Sequence, residues 1–295
     1  MLLDAGLPSI PPPPEGGGPL PVTSIDRTPG DHPVVDDVLW GRLTAAVASA
    51  ALATLNASRI ARMKADRTPV TDADECSQAV LLEALDRLMP GVAVVSEEMA
   101  VHPKRLGDLF VLIDPLDGTK EFVRGSSEYT VNLAVMKDRR PAAGIVAVPA
   151  SGAICRGRVG YGAEQVPMPG GSGDVRPLKV RAAPRHDAVA QLSRSHLDAA
   201  TVAMLDGLHV GHRVPCGSSL KFCRIAEGSA DVYPRLSPTR EWDIAAGHAL
   251  IVAAGGAVTR PDGGALLYGD VENDFRVPGF VAWGDQAGLL AAACK

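Results

Sequence analysis

Val111-Leu112-Ile113-Asp114-Pro115-Leu116-Asp117-Gly118-Thr119 is the stretch from which the rest of the chain can be read. An apolar strand runs straight into two carboxylates. Pro115 fixes φ and removes a ladder donor, and Gly118 permits a sharp turn or a close backbone approach. Both acids therefore stand at the end of a buried strand, where a lone charge is costly unless it is paired, hydrated or metal-bound. Turning backbone frees carbonyl oxygens for a hard cation and N–H groups for an anion. Taken alone, Asp-Gly is also ordinary turn chemistry.

Outward from this stretch the same logic recurs. Val94-Val95-Ser96-Glu97-Glu98 is a second buried strand that delivers acids at its end. Glu241-Trp242-Asp243 opens a helix rich in Ala, Gly and Ile, with Asp243 in its first turn, where negative charge is favoured. Three separated acidic clusters at element ends suit magnesium, which takes oxygen ligands and bridges carboxylates to substrate phosphate. Thr71-Asp72-Ala73-Asp74 reads as a helix cap. Gly217-Ser218-Ser219-Leu220-Lys221 is a small-residue helix start with a nearby cation, which suits an anion or simply an N-cap. An aspartyl-nucleophile phosphatase of the haloacid-dehalogenase type spaces its acids two apart. Asp114 and Asp117 are three apart, which would misplace one of them. No P-loop pattern occurs.

Composition bounds the alternatives. The 295 residues are 46% hydrophobic, 21% charged and only 4% aromatic, with net charge −5. That supports a sizeable core of closely packed small side chains and about two domains. No basic surface for nucleic acid is evident. Cys76, Cys155, Cys216, Cys223 and Cys294 show no C-x-x-C pair, so a reducing compartment is expected. No apolar run approaches the ~20 residues of a membrane span, and the start lacks a signal-peptide pattern. The histidines read as surface or structural residues, apart from His196.

Residues 1–33, with Pro11–Pro14 and Gly16–Gly18, read as a flexible tail. Residues 34–172 are expected to form an α+β metal-binding lobe. Helices are predicted over Val38–Leu55 and Ala73–Leu88, with strands over 92–96, 110–114, 129–136 and 144–148 and a hairpin over 153–162. The Pro-, Met- and Gly-rich stretch 166–173 reads as the break. Residues 173–295 are expected to form an α/β lobe with strands near 178–181, 188–192, 209–214 and 280–283. Its helices are predicted near 197–205, 218–227, 242–254 and 287–294.

Two long signatures then carry a resemblance. Asp114-Pro-Leu-Asp-Gly-Thr119 resembles the D-P-[IL]-D-G-T motif of the inositol monophosphatase superfamily. Trp242-Asp243-Ile-Ala-Ala-Gly247 with Ala254-Gly255-Gly256 resembles its W-D-x-A-[AG]-G…A-G-G motif, and Ser96-Glu97-Glu98 its [GS]-E-E. Lys120-Glu121-Phe122, Lys64 to Asp74, Ser193-Arg194-Ser195-His196 and Gly217 to Phe222 resemble the 3′(2′),5′-bisphosphate nucleotidase branch, closest to its bacterial sulfur-assimilation form. Ile244 stands where Thr is common.

The resemblance implies a five-layer αβαβα sandwich and a magnesium-dependent, lithium-sensitive phosphatase that converts adenosine 3′,5′-bisphosphate to AMP and phosphate in the cytoplasm. Attachment at the inner membrane's cytoplasmic face and the choice of monomer or homodimer are left open. Two or three Mg2+ ions are implied. Glu97, Asp114 and the Leu116 carbonyl would hold one, and Asp114, Asp117 and Asp243 another. Thr119 and Asp74, with Glu97 near, would orient the attacking water. Gly118 and Thr119 would hold phosphate, in a substrate site that also draws on Glu97, Leu116, Asp117, Ser195, His196, Gly217, Ser218, Ser219, Lys221 and Asp243. An inositol or fructose-1,6-bisphosphate phosphatase on the same fold is the alternative. An inactive metal or nucleotide sensor is the alternative of another class.

Overall fold

The computed structural model describes residues 34–64 and 68–293; the tail read over residues 1–33 lies outside the described residues. In chain order the elements are α1 (Asp37–Leu55), β1 (Ala61–Met63), β2 (Pro69–Thr71), α2 (Asp72–Leu88), β3 (Ala93–Ser96), β4 (Leu109–Asp117), α3 (Thr119–Val123), β5 (Thr130–Lys137), β6 (Arg140–Val148), β7 (Ala153–Arg158), β8 (Gly162–Pro167) and β9 (Arg176–Leu178). There follow β10 (Val189–Ser193), α4 (Ala199–Gly207), β11 (His212–Cys216), α5 (Leu220–Ala226), β12 (Val232–Arg235), β13 (Thr239–Arg240), α6 (Glu241–Ala253), β14 (Ala257–Thr259), β15 (Arg276–Val277), β16 (Phe280–Trp283) and α7 (Gln286–Ala293).

Strands β3 to β9 form one seven-stranded sheet in sequence order. The second sheet has five strands in the order β11-β10-β12-β16-β14. Because both faces of the first sheet are covered, its central strands read as unbroken apolar runs. In β4, Val111 and Ile113 join the cluster that holds Leu43 and Val47 of α1 and Leu81 and Leu85 of α2. Phe110 and Leu112, on the opposite face, join the cluster that holds Ile244, Ala245 and Leu250 of α6 and Phe222 and Ile225 of α5. That second cluster also takes in Tyr233 of β12 and Phe280 of β16. The far face of the five-stranded sheet packs Val232 and Val281 against Leu205 of α4 and Leu289 of α7. The layers are therefore α1/α2, first sheet, α5/α6, second sheet and α4/α7: the αβαβα order that the resemblance implied.

Small residues make the middle layer thin. A Cβ on Gly144 of β6 would collide with the Ala246 carbonyl of α6, and one on Gly247 would collide with the Phe222 ring. The Ala/Gly-rich helix after Trp242 is thus a spacer between two sheets.

Three sequence expectations shift. The strand expected near 178–181 beside the second lobe is Arg176–Leu178, and it adds to β8 at the edge of the first sheet. The strand expected from His209 starts at His212, because His209 has φ 50° in the preceding turn. Helix α1, 19 residues at mean hydropathy 1.5, does reach membrane-span length and composition. Half of it is buried: Leu43, Val47, Ala50 and Ala51 pack as the core helix of this fold. Its Ala content raises the hydropathy without making it apolar all round.

Candidate active site

The site forms where β4 loses its ladder. Asp114 pairs with Asn132 and Asp117 with Thr130, so Pro115 and Leu116 stand opposite Val131 alone and β4 carries one extra residue as a bulge. Ser77 Oγ of α2 ties the bulge down by donating to the Pro115 carbonyl at 2.6 Å. Gly118 follows at φ 95°, a left-handed conformation suited to glycine, and opens the short helix α3.

Asp114 is 1% exposed. Its Oδ1 accepts from the Leu116 N–H at 3.1 Å, and its Oδ2 has no partner among the described residues. Oxygens of Glu97, Asp114 and Asp243 lie within 4.8 Å of one another. Burial, followed by the charges of Glu97, Asp117 and Asp243, pushes the Asp114 carboxyl well above its usual range. Desolvation and then Asp243 push Glu97 up to about 8. Burial and then Asp117 raise Asp243. Three clustered acids with an unmet buried oxygen form a hard, all-oxygen donor set that Lys64, paired with Glu98 and 4.0 Å from Glu97, offsets only in part. A divalent cation fits that set, whereas packing alone leaves it costly.

Asp243 owes its position to the start of α6, where its Oδ2 accepts from the Arg240 N–H at 3.0 Å and from the Thr239 hydroxyl. Asp117 is held by Ser219, whose Oγ lies 2.8 Å from Asp117 Oδ2 and 2.9 Å from the Asp243 carbonyl. Asp74 fulfils the cap expectation and more. Its Oδ2 accepts from Thr71 N–H and Oγ1 at 2.8 and 2.6 Å, and its Oδ1 accepts from Thr119 Oγ1 at 2.9 Å. Thr119 Oγ1 also lies 3.2 Å from the Leu116 carbonyl.

A cleft of about 830 Å³ collects most of the expected residues: Glu97, Leu116 to Thr119, Ser195, His196, Gly217, Ser218, Lys221 and Asp243. Two are turned to other tasks. Ser219 is 1% exposed and backs Asp117. Lys221 donates to the Cys216 and Ser218 carbonyls at 3.1 and 2.5 Å, bracing the loop on which Ser218 takes φ 48°. Gly217 N–H donates to Glu128 at 2.9 Å, and Arg194 clasps the same Glu128 in a bidentate pair. Ser195 Oγ donates to Glu121 at 3.2 Å.

Sequence reasoning missed Arg235 and Glu128, and it quoted Lys64 and Lys120 only as members of the branch motifs. Arg235 lines the cleft; its buried Nε has no partner among the described residues, while its Nη2 donates to the Pro238 carbonyl at 3.1 Å. Partial desolvation, then Arg235 and Lys120, hold the His196 imidazole below its usual value, and all three line the same cleft. Lys64 pairs with Glu98 at 2.6 Å and lies 4.0 Å from Glu97. Only the run Tyr233-Pro-Arg235, a strand end facing the other acids, could have flagged the arginine.

Residues 39–294 match the model of the inositol monophosphatase family. A 3′(2′),5′-bisphosphate nucleotidase CysQ of Salmonella typhimurium is 40% identical over 219 residues, 74% of this chain and 86% of that protein. The Escherichia coli K12 protein of the same name is 39% identical over 223 residues, with the same coverage. Among solved structures, CysQ from Bacteroides thetaiotaomicron superposes with a TM-score of 0.69 at 30% identity, over 84% of this chain and 97% of that one. An inositol monophosphatase from Anabaena shares the fold at a TM-score of 0.69 and 22% identity, over 87% of this chain and 95% of that one. With a family model spanning nearly all of the described fold, the chain belongs to the inositol monophosphatase family.

Proposed function

We propose that the protein is a magnesium-dependent 3′(2′),5′-bisphosphate nucleotidase that hydrolyses adenosine 3′,5′-bisphosphate to AMP and phosphate. The convergence of Glu97, Asp114 and Asp243, with Asp114 Oδ2 left unmet, supports the metal-dependent phosphatase. The similarity to the nucleotidases of Salmonella and Escherichia supports the substrate.

Glu97, Asp114 and the Leu116 carbonyl would hold one Mg2+, and Asp114, Asp117 and Asp243 a second. When bound, the cations supply charge that neutralises the phosphoryl oxygens and acidify water near neutral pH. The residues supply the rest. Thr119 gives its hydroxyl proton to Asp74, so its oxygen lone pair is free to accept from a water. That water, steered also by Glu97, turns its own lone pair toward phosphorus. The Gly118 and Thr119 N–H groups open α3 and are the donors for the scissile phosphate. Attack forms the bond from the water oxygen to phosphorus and breaks that from phosphorus to ribose O3′; of the two water protons one stays on the released phosphate and the other reaches O3′ by exchange with solvent in the cleft, giving AMP and phosphate.

The second phosphate falls to the outer cations. Lys64, Arg194 and Lys221 are already engaged within the protein. Arg235 lines the cleft with His196 and Lys120, and its guanidinium has no carboxylate partner among the described residues. A guanidinium matches phosphate geometry better than a point charge. A cytoplasmic setting suits the unpaired Cys76, Cys155, Cys216 and Cys223.

The test is phosphate release from adenosine 3′,5′-bisphosphate with magnesium, with chelator, and in Asp117→Asn. We expect at least a hundredfold loss in both of the last two. Full turnover in chelator would remove the metal reading. Nucleotide binding without turnover in the magnesium-loaded wild type would revive the sensor.

A further inference from the structure

Asn132 is buried at 1% exposure in the middle of β5 and takes no part in the chemistry described above. It pairs directly with Asp114 across the ladder. Val131 and Leu133 face α1 and α2, while Ala134 faces α6. By strand alternation Asn132 faces α6 as well. Its Nδ2 donates to Ser219 Oγ at 3.0 Å, and its Oδ1 has no partner among the described residues.

The arrangement determines where one proton goes. Ser219 has a single hydroxyl proton and two acceptors in reach: Asp117 Oδ2 at 2.8 Å and the Asp243 carbonyl at 2.9 Å. Asn132 fills a lone pair of the serine and so keeps its oxygen from turning toward another donor. The proton is then offered to the carboxylate, where a charge-assisted bond is the stronger one. One side chain on β5 thereby registers α5, the end of β4 and the first turn of α6, the elements that carry Asp117 and Asp243.

Stability does not account for this residue. A buried amide whose carbonyl is unmet costs the desolvation of that oxygen, and an apolar side chain of similar shape is often neutral or better. The geometry points to Asn132 as a positioning residue for the metal site: through Ser219 it fixes the Asp117 carboxylate, and with it the affinity for the divalent cation. This deepens the magnesium reading and rests on it. Partners that orient ligands are typically worth 10–100-fold in affinity.

The experiment is magnesium titration of the substrate-free full chain by calorimetry, alongside thermal melting in chelator. The proteins are wild type, Asn132→Leu, Ser219→Ala and the double variant. We expect Asn132→Leu to raise the magnesium dissociation constant about tenfold or more, while its melting temperature in chelator stays level or rises. Ser219→Ala should weaken magnesium similarly, and the double variant should be no weaker than Ser219→Ala alone, because both act on one bond network. Saturating magnesium should restore kcat of Asn132→Leu to near wild type. Unchanged magnesium affinity in Asn132→Leu, additive losses, or a melting temperature that falls with affinity intact would each overturn the proposal. If Asn132→Leu fails to fold, Asn132→Ser carries the same cycle. Absence of magnesium binding by wild type would instead overturn the metal reading beneath it.

Discussion

Stripping divalent cations from the protein should make it less stable as pH rises from 6.5 to 8. In the metal-free fold, Glu97 titrates near 8 instead of 4.5, through desolvation and the neighbouring acids. A carboxyl with a raised folded pKa binds its proton more tightly when folded. Its stabilising contribution is complete below 4.5 and is lost as pH climbs to 8. Over the 1.5 units from pH 6.5 to 8, at ~1.36 kcal/mol per unit, one such group removes about 2 kcal/mol. At roughly 2–4 °C per kcal/mol for a chain of this size, that is a fall of about 4–8 °C in Tm.

The lower bound of the window matters, because His248 works in the opposite direction. Burial holds its imidazole down at about 3 from 6.5, so its effect is absent above 6.5 and costs stability as pH falls through 6.5 toward 3. The assay is a melting series from pH 6.5 to 8 in chelator and in excess magnesium, on wild type and Asp243→Asn. Magnesium should abolish the decline by taking the place of the retained protons. Asp243→Asn, which removes the largest charge acting on Glu97, should flatten it in chelator. A Tm that stays level or rises across this window in chelator would refute the reasoning.

Other outcomes follow from single contacts. Thr119→Val removes the hydroxyl that binds Asp74 and that, in the proposed mechanism, orients water; we expect kcat to fall ~10²–10⁴-fold with calorimetric magnesium binding retained. Gly247→Ala drives a methyl into the Phe222 ring between the two sheets and should cost about 1–3 kcal/mol in urea unfolding. Arg235→Met removes a guanidinium that lines the cleft; it should raise KM for adenosine 3′,5′-bisphosphate at least tenfold, ~1.4 kcal/mol, while leaving adenosine 3′-monophosphate hydrolysis within about threefold.

What the sequence made legible was whatever one segment could state by itself. The strand ending in Asp114 and Asp117, the strand ending in Glu97 and the helix opening at Asp243 each announce a buried element with an acid at its tip. Alternation along β4 and β5 shows through as continuous apolar runs because both sheet faces are covered. The remaining features depend on contacts between distant segments. Ser77 grips Pro115 across 38 residues, and Asn132 reaches Ser219 across 87. Ser219 and Lys221 read as anion ligands in their small-residue loop. Folding turns the serine onto Asp117 and the lysine onto its own carbonyls, and no local pattern distinguishes those directions. Arg235 was invisible for the same reason: a lone arginine at a strand end acquires meaning only when the opposite wall brings His196 and Lys120 to it.

The most direct measurement is the ratio of kcat/KM for adenosine 3′,5′-bisphosphate to that for inositol 1-phosphate, at saturating magnesium. We expect the nucleotide to be preferred by two orders of magnitude or more, since on the proposed reading its second phosphate engages Arg235 and His196 while the first meets cations held by the acidic cluster. A ratio near or below one would keep the fold and the metal acids and contradict the nucleotidase.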